Sequence, residues 1–425
     1  MNSSDGEIKH NPYAALQVVG FRNFLISSLL MQIGMAAQSV AIGWEVYLRT
    51  GQAISLGYVG AAQAIPMLLF NLPAGWLADR YSRRMILFIS RLGVILCSLG
   101  LAYISYYHGD TLLLYGLLFL DATFMTLGSS AGAAIMPMLV PHDMLENSMK
   151  WRSNTFQMSS MIGPALGGLI LQWSIPATYL TNAIFAFLFL IILFTLHLPV
   201  QQEKKEPMTL QSVFAGVRFV WDNKILLSTI SLDMFAVLLG GAVYLLPIYA
   251  KDILHVGEFG LGLLRAAPAV GALAMGTLLA HLPPMKRAGS TMLWAVVGFG
   301  IATIIFGMSH IFWLSMLMLF LTGVFDNISV IVRHSLVLIL TPDEMRGRVS
   351  AVNNIFIGSS NEIGGYESGL VAQRFSPVAS VVSGGIGTLV IIAIWAYIFP
   401  VLRNFGALSG AVELKAEEEI TKENP

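Results

Sequence analysis

Residues 75–84, GWLADRYSRR, hold Asp79, Arg80, Arg83 and Arg84 in a chain of 425 residues of which 11% are charged and 56% apolar. Soluble domains carry about 25% charged residues, so a chain this apolar is a membrane protein, and a cluster of charges marks a break between apolar runs. The runs on either side, residues 55–77 and 85–107, are long enough to cross about 30 Å of hydrocarbon as helices, which takes about 20 residues. They are too long and too weakly alternating for barrel strands. The stretch therefore reads as a short loop between two spans of a polytopic, all-α membrane protein.

Outward from this loop, apolar runs between polar or Gly/Pro breaks predict twelve spans: 24–47, 55–77, 85–107, 112–138, 153–172, 176–198, 225–250, 258–281, 290–309, 311–338, 350–372 and 377–402. An even number puts both termini on one face. Lys9, Arg22, Arg80, Arg83, Arg84, Lys150, Arg152, Lys204, Lys205, Arg218, Lys224, Lys286, Arg287, Arg346, Arg348, Arg403, Lys415 and Lys422 fall on that face, against Arg49, Lys251 and Arg374 on the other. By the positive-inside rule both termini and GWLADRYSRR are cytoplasmic. The first apolar run is of full spanning length and follows a polar stretch containing Lys9, His10 and Arg22, so no cleavable signal peptide is expected.

The longest polar break, residues 199–224, divides six spans (1–198) from six (225–405), with a polar tail at 406–425. Its second half reads as an interfacial amphipathic helix. A shift of 201 residues superposes Gly75 on Gly276, Leu77 on Leu278, Phe119 on Phe320, Pro141 on Pro342, Met144 on Met345, Gly163 on Gly364 and Gly168 on Gly369. Two six-helix halves related by a parallel repeat are an architecture of secondary transporters, which bind substrate between the repeats. Two old halves kept only as scaffold are the plainer alternative.

GWLADRYSRR fits G-x-x-x-D-R-x-G-R-R with Ser82 in place of the second glycine, and in the loop between spans two and three it resembles the signature of the major facilitator superfamily. Topology accounts for the arginines; Asp79 and Gly75 are left over. The resemblance implies that Gly75, Leu77, Asp79, Arg80, Arg83 and Arg84 form a gating motif in which Asp79 latches the two halves in the outward-facing state. The repeat mate of Asp79 is Ala280, so the latch is one-sided. SMIGPALGG in span five, with Gly163, Pro164, Gly167 and Gly168 and with Ser159 in place of a further glycine, resembles the motif of the superfamily's exporters, chiefly proton antiporters. Ordinary small-residue helix packing is the alternative. The segments AIGWEVYLRTG, LDMFAVLLGGAVYLLP, LLRAAPAVGAL and TPDEMRGRVSAVNNIFIGSSNEIGGYESG resemble a bacterial subgroup that includes the enterobactin (siderophore) exporter.

Ionisable groups inside spans cost about 2.5–3.5 kcal/mol each even on lenient scales, so each is a functional candidate. They are Arg91, Asp121, Asp233, Arg265, Asp326, Arg333, His334, Glu362 and Glu367, with Glu45 near an outer helix end. Asp326 and Arg333 are two helical turns apart on one face of span ten, and Glu362 lies at the depth of Asp326 on span eleven. Two carboxylates sharing one arginine make a proton site; a permanent ion pair locking the two spans is the alternative. Asp233 and Arg265 sit on neighbouring spans at different depths. Arg91, a turn inside span three, reads as a snorkelling or motif-pairing cation. Phe124, Phe156, Tyr244 and Trp294 are candidates for an aromatic cavity wall.

Several functions have no support. The single cysteine, Cys97, builds neither a disulfide nor a thiolate metal site, and the eight histidines are scattered without ligand spacing. No G-x-x-x-x-G-K-[ST] loop is present, which leaves ion gradients as the energy source. The expectation is therefore no enzyme, no metal, no cofactor and no nucleic-acid partner. It is instead a secondary transporter of the bacterial inner membrane with the major facilitator fold, a proton-coupled exporter of a siderophore or drug-like amphiphile. The resemblance implies a monomer. An importer or lipid transporter of the same fold, and a non-transporting membrane sensor or scaffold, stay open as alternatives.

Overall fold

The computed structural model describes residues 11–196, 210–283, 285–403 and 405–406, and the backbone alone of Leu72, Asp79, 210–214, Asp343, Glu344 and Ala351. These residues form helices and turns, with no strand. In hydrocarbon each backbone N–H and C=O must be satisfied within its own segment, which a helix does and a single strand does not. The long helices are α1 (Val19–Thr50), α2 (Ala53–Arg80), α3 (Arg83–Tyr106), α4 (Thr111–Ile135), α5 (Leu145–Leu171), α6 (Ile175–Thr195), α7 (Leu210–Asp222), α8 (Lys224–Leu239), α9 (Gly257–His281), α10 (Ala288–Met308), α11 (Phe312–Leu340), α12 (Asp343–Arg374) and α13 (Pro377–Ile398). Side-chain caps set their starts. The Asp110 carboxylate accepts from the Leu112 N–H at α4, Ser174 Oγ from Ala177 at α6, Asn223 Oδ1 from Ile225 and Leu226 at α8, and Ser376 Oγ from Ala379 at α13.

Among the described residues, ten segments are long and apolar enough to cross a membrane. Of the expected runs, those in α5 and α12 are not among them, because these two helices are the most polar of the long ones. Their place in the packing explains it. Helices α1–α6 pack among themselves, as do α8–α13, and the two sets meet along two broad seams, α5 on α9 and α12 on α2. A helix buried between protein walls and lining a cavity needs no apolar face all round.

Glycines make both seams. A Cβ on Gly168 would sit 2.7 Å from Gly262 Cα and 2.8 Å from Glu258 O, and one on Gly369 would sit 2.9 Å from Gly57 N. Gly168 and Gly369 are repeat mates at 201 residues, and so are Gly57 and Glu258, so the same backbone contact recurs at corresponding places. Both contacts lie at the end of the bundle remote from residue 11. At the other end of α2 a Cβ on Gly75 would meet nothing within 4 Å. Glycine seams thus shut the bundle at one end, and Gly75 makes no such contact at the other, which reads as the parted end.

One expected span differs in form. Residues 225–250 are not one continuous helix: α8 stops at Leu239, and Gly241–Leu245 follows as a 3₁₀ turn, with a π-helical turn at Tyr249–Ile253. The Gly240-Gly241 pair is responsible. A Cβ on Gly241 would lie 2.3 Å from Ser368 Oγ and 2.7 Å from Gly364 O, so the chain comes close to α12 only because it has no side chain there. The proposed interfacial segment does form an amphipathic helix, α7, which packs on α12 with Gly216 against the Arg348 carbonyl. Residues 197–209 and 407–425, parts of the expected linker and tail, lie outside the described residues.

Candidate functional site

Three adjoining cavities share lining residues, two of them lined from both helix sets and the third from the first set alone. The largest, about 690 Å³, is lined by Gln38, Ser39, Gln63 and Asp121 from the first set and by Glu362 from the second. It shares Gln32, Met35 and Phe156 with a lobe of about 570 Å³ that reaches toward Arg152 and Arg91, and shares Ser160 with one of about 290 Å³ lined by Tyr244, Asp326 and Asn361. The second lobe lies nearest the face carrying residue 11, because the start of α5 is held there: Trp151 Nε1 and Asn147 Nδ2 both donate to the Pro12 carbonyl.

The ionisable candidates sort into fixed and cavity-facing groups. Arg333 forms an ion pair with Asp233, both almost fully buried, joining α11 to α8. This corrects the expected cluster of Asp326, Arg333 and Glu362: the arginine turns to the other neighbouring helix. Glu45 Oε1 pairs with Arg49 at 2.5 Å and its Oε2 accepts from Tyr179 Oη at 2.6 Å, while Arg49 also donates to the carbonyls of Ile104 and Gly109. That carboxylate is consumed in tying α1 to α6 and to the turn after α3. Glu367 is half-buried on α12 beside Ser368, and no metal-holding group of His, Cys, Asp or Glu forms among the described residues.

Three carboxylates face the cavity. Asp121 Oδ2 accepts from Gln38 Nε2 at 3.2 Å, and Gln38 Oε1 in turn accepts from Ser98 Oγ and Asn182 Nδ2. Asp326 lines the smallest lobe. Glu362 stands beside Tyr244: a Cβ on Gly60 would lie 3.6 Å from both Glu362 Oε2 and Tyr244 Cε1. The broken helix after Gly240 is what brings Tyr244 there. Arg265, whose charge bears on both, crosses between the sets and donates to Ser39 Oγ at 2.8 Å. Glu362, Tyr244, Arg265 and Ser39 thus form a polar bridge between α12, α9 and α1 at the wall of the cavity.

Sequence reasoning singled out charges and passed over the neutral amides. Gln38, Ser98 and Asn182 are polar residues inside apolar runs, a signal of the same kind as an intramembrane charge and only weaker. Tyr47 and Asp252 were also missed: the Tyr47 hydroxyl donates to Asp252 at the shut end, with the Lys251 ammonium 5.3 Å from the same ring. Of the proposed aromatic wall, Phe156 and Tyr244 line the cavity, Phe124 packs on Gly93 between α3 and α4, and Trp294 is 72% exposed on the bundle's outside.

The two motifs also find places. Arg83 donates to the Ala78 and Ala134 carbonyls, Arg84 to the Phe194 carbonyl, and Arg80 lies over Trp76, so all three are tied within the first set. Ser82 has φ −56°, a conformation that needs no glycine. The Asp79 side chain, on which the latch depends, lies outside the described residues. Gly163 and Gly167 seat α5 against Ala36 and Ala37 of α1, whereas Gly168 faces the other set.

Comparison with known proteins agrees with this architecture. The profile of the transmembrane secretion effector family, part of the major facilitator superfamily, matches residues 10–420. The enterobactin exporter EntS of Citrobacter koseri is 27% identical over 393 residues, 91% of this chain and 93% of its own length, and that of Escherichia coli O1:K1 matches to the same extent. Among solved structures, the nucleoside transporter NupG superposes with a TM-score of 0.69 at 14% identity, covering 89% of this chain and 99% of that one. An inward-facing, unoccupied bacterial homologue of the lysosomal transporter Spinster superposes with a TM-score of 0.69 at 13% identity, covering 91% and 98%.

Proposed function

The chain belongs to the transmembrane secretion effector family of the major facilitator superfamily, transporters and not enzymes, and on that premise we propose that it is a proton-coupled secondary exporter of a small organic molecule such as a siderophore or an amphiphile. The observation that carries this reading is a pair of adjoining cavities lined from both helix sets, shut at one end by paired glycine seams and bearing Asp121, Asp326 and Glu362 on their walls. The two sets are then the two six-helix halves, residues 1–198 and 225–405, with 199–224 as linker, 406–425 as tail and twelve spans in all.

With the basic loops cytoplasmic, the parted end faces the cytoplasm of the inner membrane and the geometry is that of the loading state. Substrate enters between the halves and the seams at Gly168 and Gly369 separate. Protonation of a cavity carboxylate from the outside, Glu362 foremost, drives the return. Glu362 is favoured because Arg265 and Tyr244 give it partners that can be exchanged as the halves rock, whereas Asp233 and Glu45 are each held by an arginine. Asp79 acts as a latch of the opposite state, and the working unit is a monomer in the bilayer that needs no cofactor beyond the ion gradient.

Everted membrane vesicles test the reading. Uptake of a siderophore or amphiphilic dye is expected to follow an imposed pH gradient and to lose that dependence in Glu362→Gln. Transport indifferent to the gradient, with Glu362→Gln fully active, overturns proton coupling.

A further inference from the structure

We propose that the lobe around Arg91 is a subsite for an aromatic organic anion, so that the exported molecule carries an aryl group bearing a negative charge. This rests on the reading of the cavity as the substrate route and goes further by naming the chemistry the route accepts.

The first observation is a buried guanidinium that forms no ion pair among the described residues, the Asp121 charge acting on it only from beyond contact. Arg91 is 7% exposed, and its one hydrogen bond among the described residues is Nη1 to Met125 Sδ at 3.5 Å, a weak acceptor. Its Nε has no hydrogen-bond partner among the described residues. Asp121 is the carboxylate whose charge bears on it, but the two form no ion pair, and Asp121 is bonded instead to Gln38. Nor does Arg91 snorkel toward lipid. Its guanidinium lies 5.1 Å from the Phe189 ring and beside Gly128, where a Cβ would come within 3.2 Å of Nη1. A desolvated arginine whose planar fork lacks a bidentate acceptor is a site waiting for a carboxylate-like group.

The second observation is the wall around it. The lobe of about 570 Å³ is lined by Phe24, Phe156, Phe189, Met31, Met35 and Met125, with Arg152 exposed near its mouth, and none of its lining residues is acidic. Rings and polarisable thioethers accept a flat aromatic body and tolerate variation in its outline. Two guanidiniums at different depths along one wall attract an anion from the cytoplasmic side and reject a cation. The carboxylates Asp121 and Glu362 lie in the adjoining lobe. The cavity is therefore divided, with cationic and aromatic character where cargo would load and acidic character deeper in.

The test uses a charge series of equal bulk, 2-naphthoate, 2-naphthylmethanol and 2-naphthylmethylammonium, titrated into the purified full-length protein without any gradient. Wild type is expected to bind the naphthoate about tenfold or more tighter than the other two, a factor in the range of one hydrogen-bonded charge pair. Arg91→Gln is expected to lose that preference while its affinity for the neutral probe stays put, and Arg91→Lys to keep part of it. A flat charge series in wild type overturns the proposal without requiring any variant to fold, and so does full naphthoate preference in Arg91→Gln. Because binding is read without flux, a flat series alongside gradient-driven movement of another solute removes the anion assignment and leaves the exporter reading intact.

Discussion

Asp233 and Asp121, one from each helix set, are buried in opposite ways. In the second set Asp233 is locked to Arg333, closed off from the cavity and supplied with a full counter-charge. In the first set Asp121 lines the cavity and is held by an amide, Gln38, itself held by Ser98 and Asn182. A charge pair removed from solvent has one stable arrangement and costs heavily to break, whereas an amide donates to an ionised or a protonated carboxyl alike. The first arrangement holds helices together; the second tolerates a change of charge.

The largest effect should come from breaking the locked pair on one side. Asp233→Ala alone leaves a buried guanidinium and is expected to cost about 3–5 kcal/mol, read as a fall in the thermal unfolding midpoint in detergent or as failure to accumulate. Asp233→Asn combined with Arg333→Met should recover most of that loss, and a double variant as unstable as the single one would show that the pair is not the cause. Next is Gly168→Val. Its Cβ meets backbone of α9, so the seam must part. Labelling of single cysteines placed at the shut end, in a Cys97→Ala background, should rise, and transport should fall about tenfold or more if the seam closes in each cycle.

Asp121→Asn sharpens the contrast from the other side. Because the carbonyl of the introduced amide can accept the same Gln38 Nε2 bond that the carboxylate does, stability should change by less than about 1 kcal/mol, while the response of transport to pH changes. A loss as large as that of Asp233→Ala would erase the distinction between the two carboxylates. The smallest expected effect is that of Tyr47→Phe, which removes the hydroxyl donated to Asp252 at the shut end and should cost about 0.5–1.5 kcal/mol. Its sign in transport is a faster opening of that end, measured by the same labelling.

Much of the fold was legible in the chain because each apolar run carries its own reason to be a helix in lipid. The repeat of 201 residues located Gly168 and Gly369, and these proved to be equivalent points of the two seams. The broken helix was less legible. Gly240-Gly241 stands inside an otherwise apolar run, and a glycine pair alone does not tell a tolerated helix from a break. What decides it is the approach of Gly364 and Ser368, more than a hundred residues away. The candidate charges were found by type, and their partners were not.

By itself the sequence determined the helical membrane class and the family, both of which depend on composition and spacing along one dimension. Only the tertiary structure decided that Arg333 takes Asp233, that Glu362 stands with Tyr244 and Arg265, and that Arg91 faces a cavity. The physical reason is reach. A buried charge is satisfied only within a few ångströms, so its partner depends on helix rotation and on where backbones can touch. In this chain those are set by glycine contacts between helices far apart in sequence.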